Sequence, residues 1–198
     1  LCSLLEPSAG SLEINGLDFK KNKNELKQII GIVPQEIALY SSMTAYENLQ
    51  YFGGMYGLKG KELKERISTH LEILGLTEFA HKKIGQYSGG MKRRINLAAS
   101  ILHEPKVLFL DEPTVGVDVQ SKRAIIEHLI ALNKKGCTIL YTSHHLNEAE
   151  QFCTEVAIMD HGSLIIQGKP EALIAEKKVK NLEELFITLT GEKLRDHA

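Results

Sequence analysis

Val107-Leu108-Phe109-Leu110-Asp111-Glu112-Pro113 is a run of four apolar residues that stops in two carboxylates and a proline. A strand with one wet face alternates apolar and polar residues. A bare apolar run closed by a turn signal reads instead as a strand buried on both faces, as in parallel sheets covered by helices. Upstream of it, Ser88-Gly89-Gly90 opens a helix whose apolar face is Ile95, Ala98, Ala99 and Leu102, stopped at Glu104-Pro105. Further back, Ile29–Val33 is an apolar strand ended by Pro34, which leaves Gln35 at its exit, and Ser11–Ile14 is a short strand closed by the turn dipeptide Asn15-Gly16. From Thr44 to about Leu76 the period is helical, through Ala45, Leu49 and Phe52 and then Leu63, Ile67, Leu71 and Leu74, with glycines dividing the two stretches.

Downstream, the pattern gives a helix over Ser121–Lys135, a strand over Thr138–Tyr141, a helix over Leu146–Cys153 and strands over Val156–Met159 and Leu164–Gln167. The alternating order predicts an α/β fold with a mostly parallel sheet wrapped by helices. Residues 36–87 form an all-helical insert, and residues 168–198 a helical appendage of two short helices, Pro170–Lys178 and Leu182–Thr190. The whole chain, 1–198, reads as one domain.

Composition narrows the function. The 198 residues are 43% hydrophobic and 25% charged, with 24 Lys plus Arg against 25 Asp plus Glu. That balance excludes a disordered tail and gives no bulk charge for nucleic acid or an anionic membrane. The three cysteines, Cys2, Cys137 and Cys153, show no paired metal spacing and fit a reducing compartment. No apolar stretch reaches the roughly 18–20 residues that span a bilayer, and no signal segment opens the chain. Leu1–Leu5 reads as the end of an apolar helix.

Ligands of such sheets bind at the carboxyl ends of the strands, where Gln35, Asp111-Glu112 and Ser143-His144 fall. Adjacent carboxylates at a strand end point to opposite sides and divide the labour. One can hold a hydrated Mg²⁺ while the other positions or deprotonates a water. A turn or helix cap explains Asp-Glu-Pro-Thr equally well at this stage. Ser88-Gly89-Gly90 offers backbone N–H groups and a positive dipole end to a phosphate, or is a plain N-cap. Lys92-Arg93-Arg94 reads as a solvated helix face. Taken singly, His144 reads as a surface residue and Gln35 as a loop residue.

The set in order says more. Ile32-Val33-Pro34-Gln35 resembles a Q-loop, Tyr87-Ser88-Gly89-Gly90-Met91-Lys92-Arg93-Arg94 the ABC signature, and Val107–Pro113 a Walker B strand with its glutamate. Gly116-Val117-Asp118 resembles the D-loop, and Thr142-Ser143-His144 with Asn147-Glu148-Ala149-Glu150 the switch-histidine segment. Together they resemble the ATP-binding domain of ABC transporters, and Tyr87, Met91 and Leu185–Gly191 are most similar to bacterial exporters of drugs, ions or polysaccharides.

The resemblance implies a P-loop NTPase-type fold with an ABC-type helical subdomain, the N-terminal strands and the phosphate cradle being missing. Both Gly-Lys pairs, Gly60-Lys61 and Gly168-Lys169, lack the rest of a cradle. These 198 residues alone are therefore expected to be inactive. In the complete protein it implies ATP and Mg²⁺ as ligands, with Gln35 sensing the metal and the γ-phosphate, Asp111 holding the metal and Glu112 acting as general base. His144 would stabilise the transferring phosphate, Ser88, Gly89 and Gly90 would bind the nucleotide of a second such domain, and Asp118 would link the two sites. It implies a membrane-spanning permease as partner, no nucleic acid, and a place in the cytoplasm, peripheral on the membrane. Two rivals share parts of the pattern: a soluble ABC ATPase acting on ribosomes or DNA, and a subunit without a cradle that supplies only a signature face.

Overall fold

The computed structural model describes residues 8–191; Leu1–Leu5 lies outside them. The chain divides after Thr142 into two compact units. The first begins with a hairpin of β1 (Glu13–Ile14) and β2 (Leu17–Asp18), turned at Asn15-Gly16, both with positive φ. A short helix, α1 (Lys23–Ile29), leads straight into β3 (Ile30–Val33). No apolar period announces α1, because Leu26 is its one buried residue.

After β3 come α2 (Ala45–Met55), α3 (Gly60–Ile73) and two single 3₁₀ turns. A capping box starts α2: the Glu47 amide donates to Thr44 Oγ1 at 3.1 Å and the Thr44 amide to Glu47 Oε2 at 2.8 Å. The two ends of this excursion meet, with the Ile84 amide donating to the Met43 carbonyl and the Gly85 amide to the Ser41 carbonyl, each at 2.9 Å. Buried Asn48 pins the lead-in, accepting from the Tyr40 amide at 2.8 Å and donating to the Tyr40 and Thr44 carbonyls.

Then follow α4 (Gly89–Ile101), β4 (Val107–Asp111), α5 (Val119–Lys134) and β5 (Thr138–Thr142). The three strands β3, β4 and β5 form a parallel sheet with β4 in the middle, Val33 opposite Leu110 and Asp111 opposite Thr142. Both faces of β4 are covered, as the apolar run predicts. Leu108 and Leu110 join a core with α2, α3, α4 and α5, while Val107 joins Ile14, Phe19, Leu26 and Ile30 in a separate cluster. Gly31 lets β3 approach α4 closely: a Cβ there would lie 2.5 Å from the Ser100 carbonyl.

The second unit holds α6 (Leu146–Phe152), β6 (Val156–Asp160), β7 (Ser163–Gly168), α7 (Pro170–Lys177) and α8 (Leu182–Thr190) around Ile158, Leu173, Leu182 and Leu185. Here no helix stands between the two strands. β6 and β7 pair antiparallel with each other, because only His161 and Gly162 separate them and a parallel crossover needs a dozen residues or more. Among the described residues no helix is long and apolar enough to cross a membrane.

Two buried histidines join α3 to α5. The rings of His70 and His128 lie edge to face, 5.6 Å apart, and both are held below the ordinary histidine range. His70 is pushed down to about 4, by burial first and then by the charges of His128, Arg66 and Lys135. The unfolded chain, titrating near about 6.5, therefore binds more protons than the folded one as pH falls. His70 stability is fully present above that value and is lost as pH falls toward 4. The expected loss from pH 7 to pH 4 is on the order of 3 kcal/mol. Urea unfolding across this range should show a slope that His70→Gln flattens; the same slope in both proteins contradicts the assignment.

Candidate active site at the carboxyl edge of the sheet

Parallel register brings the ends of β3, β4 and β5 to one edge. Gln35, just past β3, donates its Nε2 to Glu112 Oε2 at 3.0 Å across 77 positions of sequence. Glu112 has left the strand: its φ is 45°, a left-handed conformation costly for a residue with a side chain, and its amide donates to the Thr142 carbonyl at 3.1 Å. Strict strand alternation therefore ends at Asp111. That residue is exposed, and its Oδ1 accepts from Thr142 Oγ1 at 2.6 Å. The edge thus carries two carboxylates, a primary amide and a hydroxyl.

Ser88 is the N-cap of α4, its Oγ accepting from the Met91 amide at 3.2 Å. The cap and the phosphate-binding reading coexist. Ser88 and Gly89 are exposed, and the amides of Gly89 and Gly90 occupy the first turn, where a helix has no acceptor of its own for them. Gly90 is buried against the start of α5: a Cβ on it would lie 2.5 Å from Asp118 Oδ2 and 2.8 Å from Ser121 Cβ. Asp118 is the N-cap of α5, accepting from the Ser121 amide at 2.9 Å. Hydrogen bonds from the Ser121 amide and hydroxyl hold its carboxyl below the usual range. The Ser88-Gly89-Gly90 turn and Asp118 therefore touch within this chain. His144 lies in the second unit, its ring 4.2 Å from that of His145.

The basic triplet departs from the solvated face expected of it. Arg93 is half-buried and its Nη1 donates to the Pro34 carbonyl at 3.4 Å and to the Gln35 carbonyl. Arg94 Nη1 donates to the Leu74 carbonyl at 2.6 Å. One signal in the sequence was available: three cations at the start of a helix stand at the wrong end of its dipole, an arrangement that favours finding partners elsewhere.

A three-stranded parallel sheet interrupted by a helical excursion, with acids and amide donors at its carboxyl edge, fits the P-loop NTPase-type fold that the motifs imply. The family model described as ABC transporter matches residues 1–115. The chain belongs to the ABC transporter ATP-binding family. It is 47% identical over 195 residues to the linearmycin resistance ATP-binding protein LnrL of Bacillus subtilis (strain 168), covering 94% of this chain and 63% of that protein. It is 35% identical over 189 residues to the ABC transporter ATP-binding protein NatA of the same organism, covering 95% of this chain and 77% of NatA. The probable multidrug ABC transporter ATP-binding protein YbhF of Escherichia coli (strain K12) is 36% identical, and the chain spans 35% of its length.

Among solved structures, the ATP-binding subunit of an ABC transporter superposes with a TM-score of 0.86 at 27% identity, over 96% of this chain and 80% of that one. The cbiO1 protein of Clostridium perfringens, part of the ABC transporter complex cbiONQ, gives 0.79 at 30% identity, over 89% and 72%. Family, fold and the resemblance to exporters read from the motifs agree with these relatives.

Proposed function

We propose that the complete protein hydrolyses ATP at an interface between two copies of itself and thereby drives export through a membrane-spanning permease. The observation that carries this reading is the Gln35–Glu112 hydrogen bond at the sheet edge. A carboxylate bonded by a neutral amide is oriented without being neutralised, which suits a general base. Glu112 accepts the proton of the attacking water, and Gln35 fixes the orientation of the carboxylate and reaches the reacting phosphate. Asp111, exposed at the strand end and held by Thr142, would supply the single carboxylate that Mg²⁺ takes in addition to waters and phosphate oxygens, so the donor fits that ion, and Gln35 is its proposed second protein ligand. Once bound, Mg²⁺ would offset the negative charge of the phosphates.

Ser88, Gly89 and Gly90 present backbone donors to the nucleotide held by the second copy, and Asp118, packed on Gly90, relays between the two sites. Val119, 82% exposed directly after Asp118, gives that interface an apolar contact. His144 donates to the transferring phosphate. The excursion over 36–87 is the subdomain facing the permease. Cargo class follows the linearmycin resistance and probable multidrug proteins among the relatives.

The test is phosphate release by the full-length protein with Mg²⁺ and ATP, alone and reconstituted with its permease in vesicles. Turnover that rises when the permease is present supports the reading. A full-length protein that binds ATP without releasing phosphate contradicts it, and favours a subunit that supplies only a signature face.

A further inference from the structure

Arg93 sits where its own helix offers it nothing. It stands near the N-terminal end of α4, which repels cations, and it is half-buried, so that its guanidinium has lost part of its water. Burial pulls the guanidinium down from its ordinary range while the nearby charge of Glu112 acts in the opposite sense. Its acceptors come from one place, the Pro34 and Gln35 carbonyls. Gln35 in turn bonds Glu112 through its side chain. The contacts run from Arg93 to the Gln35 backbone and along the Gln35 side chain to Glu112.

Gln35 needs such a hold. Its strand ends at Val33, Pro34 has no amide to contribute to the sheet, and Gln35 itself is exposed. A long amide side chain on an untethered backbone samples many rotamers, whereas one whose carbonyl is gripped keeps its Nε2 on Glu112 more of the time.

We propose that Arg93 is a positioning residue for ATP hydrolysis: by gripping the Pro34 and Gln35 carbonyls, it fixes the backbone that carries Gln35 and so the Gln35–Glu112 pair. It also ties that pair to the helix whose first turn carries Ser88, Gly89 and Gly90. An arginine suits the position because one cationic nitrogen donates to both carbonyls. The inference rests on the reading of Glu112 as base given above.

The experiment measures kcat and KM for ATP in the full-length protein. Arg93→Met should lower kcat roughly 10- to 100-fold, the scale of a misplaced catalytic group, with KM changed less than about 3-fold. Arg93→Lys, which keeps the charge and a donor, should recover most of that loss. In a Gln35→Ala background the same Arg93→Met change should cost less than about 3-fold, because the group it positions is already gone. A residue that merely supports α4 would cost the same factor in both backgrounds. If Arg93→Met does not remain folded, Arg93→Gln carries the comparison. Equal losses in the two backgrounds, or Arg93→Met within about twofold of wild type, overturns the proposal while leaving the hydrolysis reading intact. A wild-type protein without turnover removes both.

Discussion

Glu112→Gln in the full-length protein is expected to cut ATP turnover by roughly 10² to 10⁴ while ATP still binds, the usual scale for a general base. The substitution keeps the shape of the side chain and an oxygen able to accept from Gln35 Nε2, so the 3.0 Å contact has a reason to persist. What disappears is the capacity to take a proton. The backbone at this position, with φ of 45°, is unaffected by the change and continues to aim the side chain away from the run of β4. Phosphate release and equilibrium ATP binding, measured on the same preparation, separate the two effects. Unchanged turnover removes Glu112 from the role of base, and lost binding shows that its charge holds the nucleotide instead.

The second large effect is on stability. Leu108→Ala is expected to cost about 2–5 kcal/mol, the range for deleting a fully buried leucine from a site that cannot collapse. Leu108 is completely buried on the central strand, opposite Gly31 on one side and Ile139 on the other. A Cβ at Gly31 would come within 2.9 Å of its Cδ1, so the side chain already fills the space that the glycine provides. Neighbouring strands, fixed by two ladders, have little freedom to move inward. Urea unfolding of the wild type and variant gives the difference; a loss below about 1 kcal/mol contradicts the two-sided burial of β4.

How far the sequence alone reaches depends on what carries each feature. β4, α4 and α5 are legible because a buried run or an amphipathic period spans the whole element, and β4 differs from the expected Val107–Leu110 only by including Asp111. α1 is not legible, since seven residues with one buried leucine leave no period to read. The Gln35–Glu112 contact, between residues far apart in sequence, follows only once β3 and β4 are placed side by side in parallel register. The sequence puts both residues at strand ends; the register brings them into contact. Arg93 and Arg94 escape sequence reading for the opposite reason. A basic triplet on a helix has a ready explanation in solvent, and only the packing of α4 under Pro34 and Leu74 shows where the guanidinium groups go. The β6–β7 pair shows that alternation of strand and helix does not decide strand direction when the connection is two residues long.

In the proposed dimer, one copy's Glu112 works with the other copy's Ser88-Gly89-Gly90 turn. The most direct measurement mixes two full-length variants, Glu112→Gln and Ser88→Arg, each inactive alone, in equal amounts. Half of randomly formed dimers would then pair one variant with the other, and each such pair would hold one intact site out of two. Turnover restored to about one quarter of the wild-type value is the predicted result. A mixture as inactive as its two components would contradict the claim.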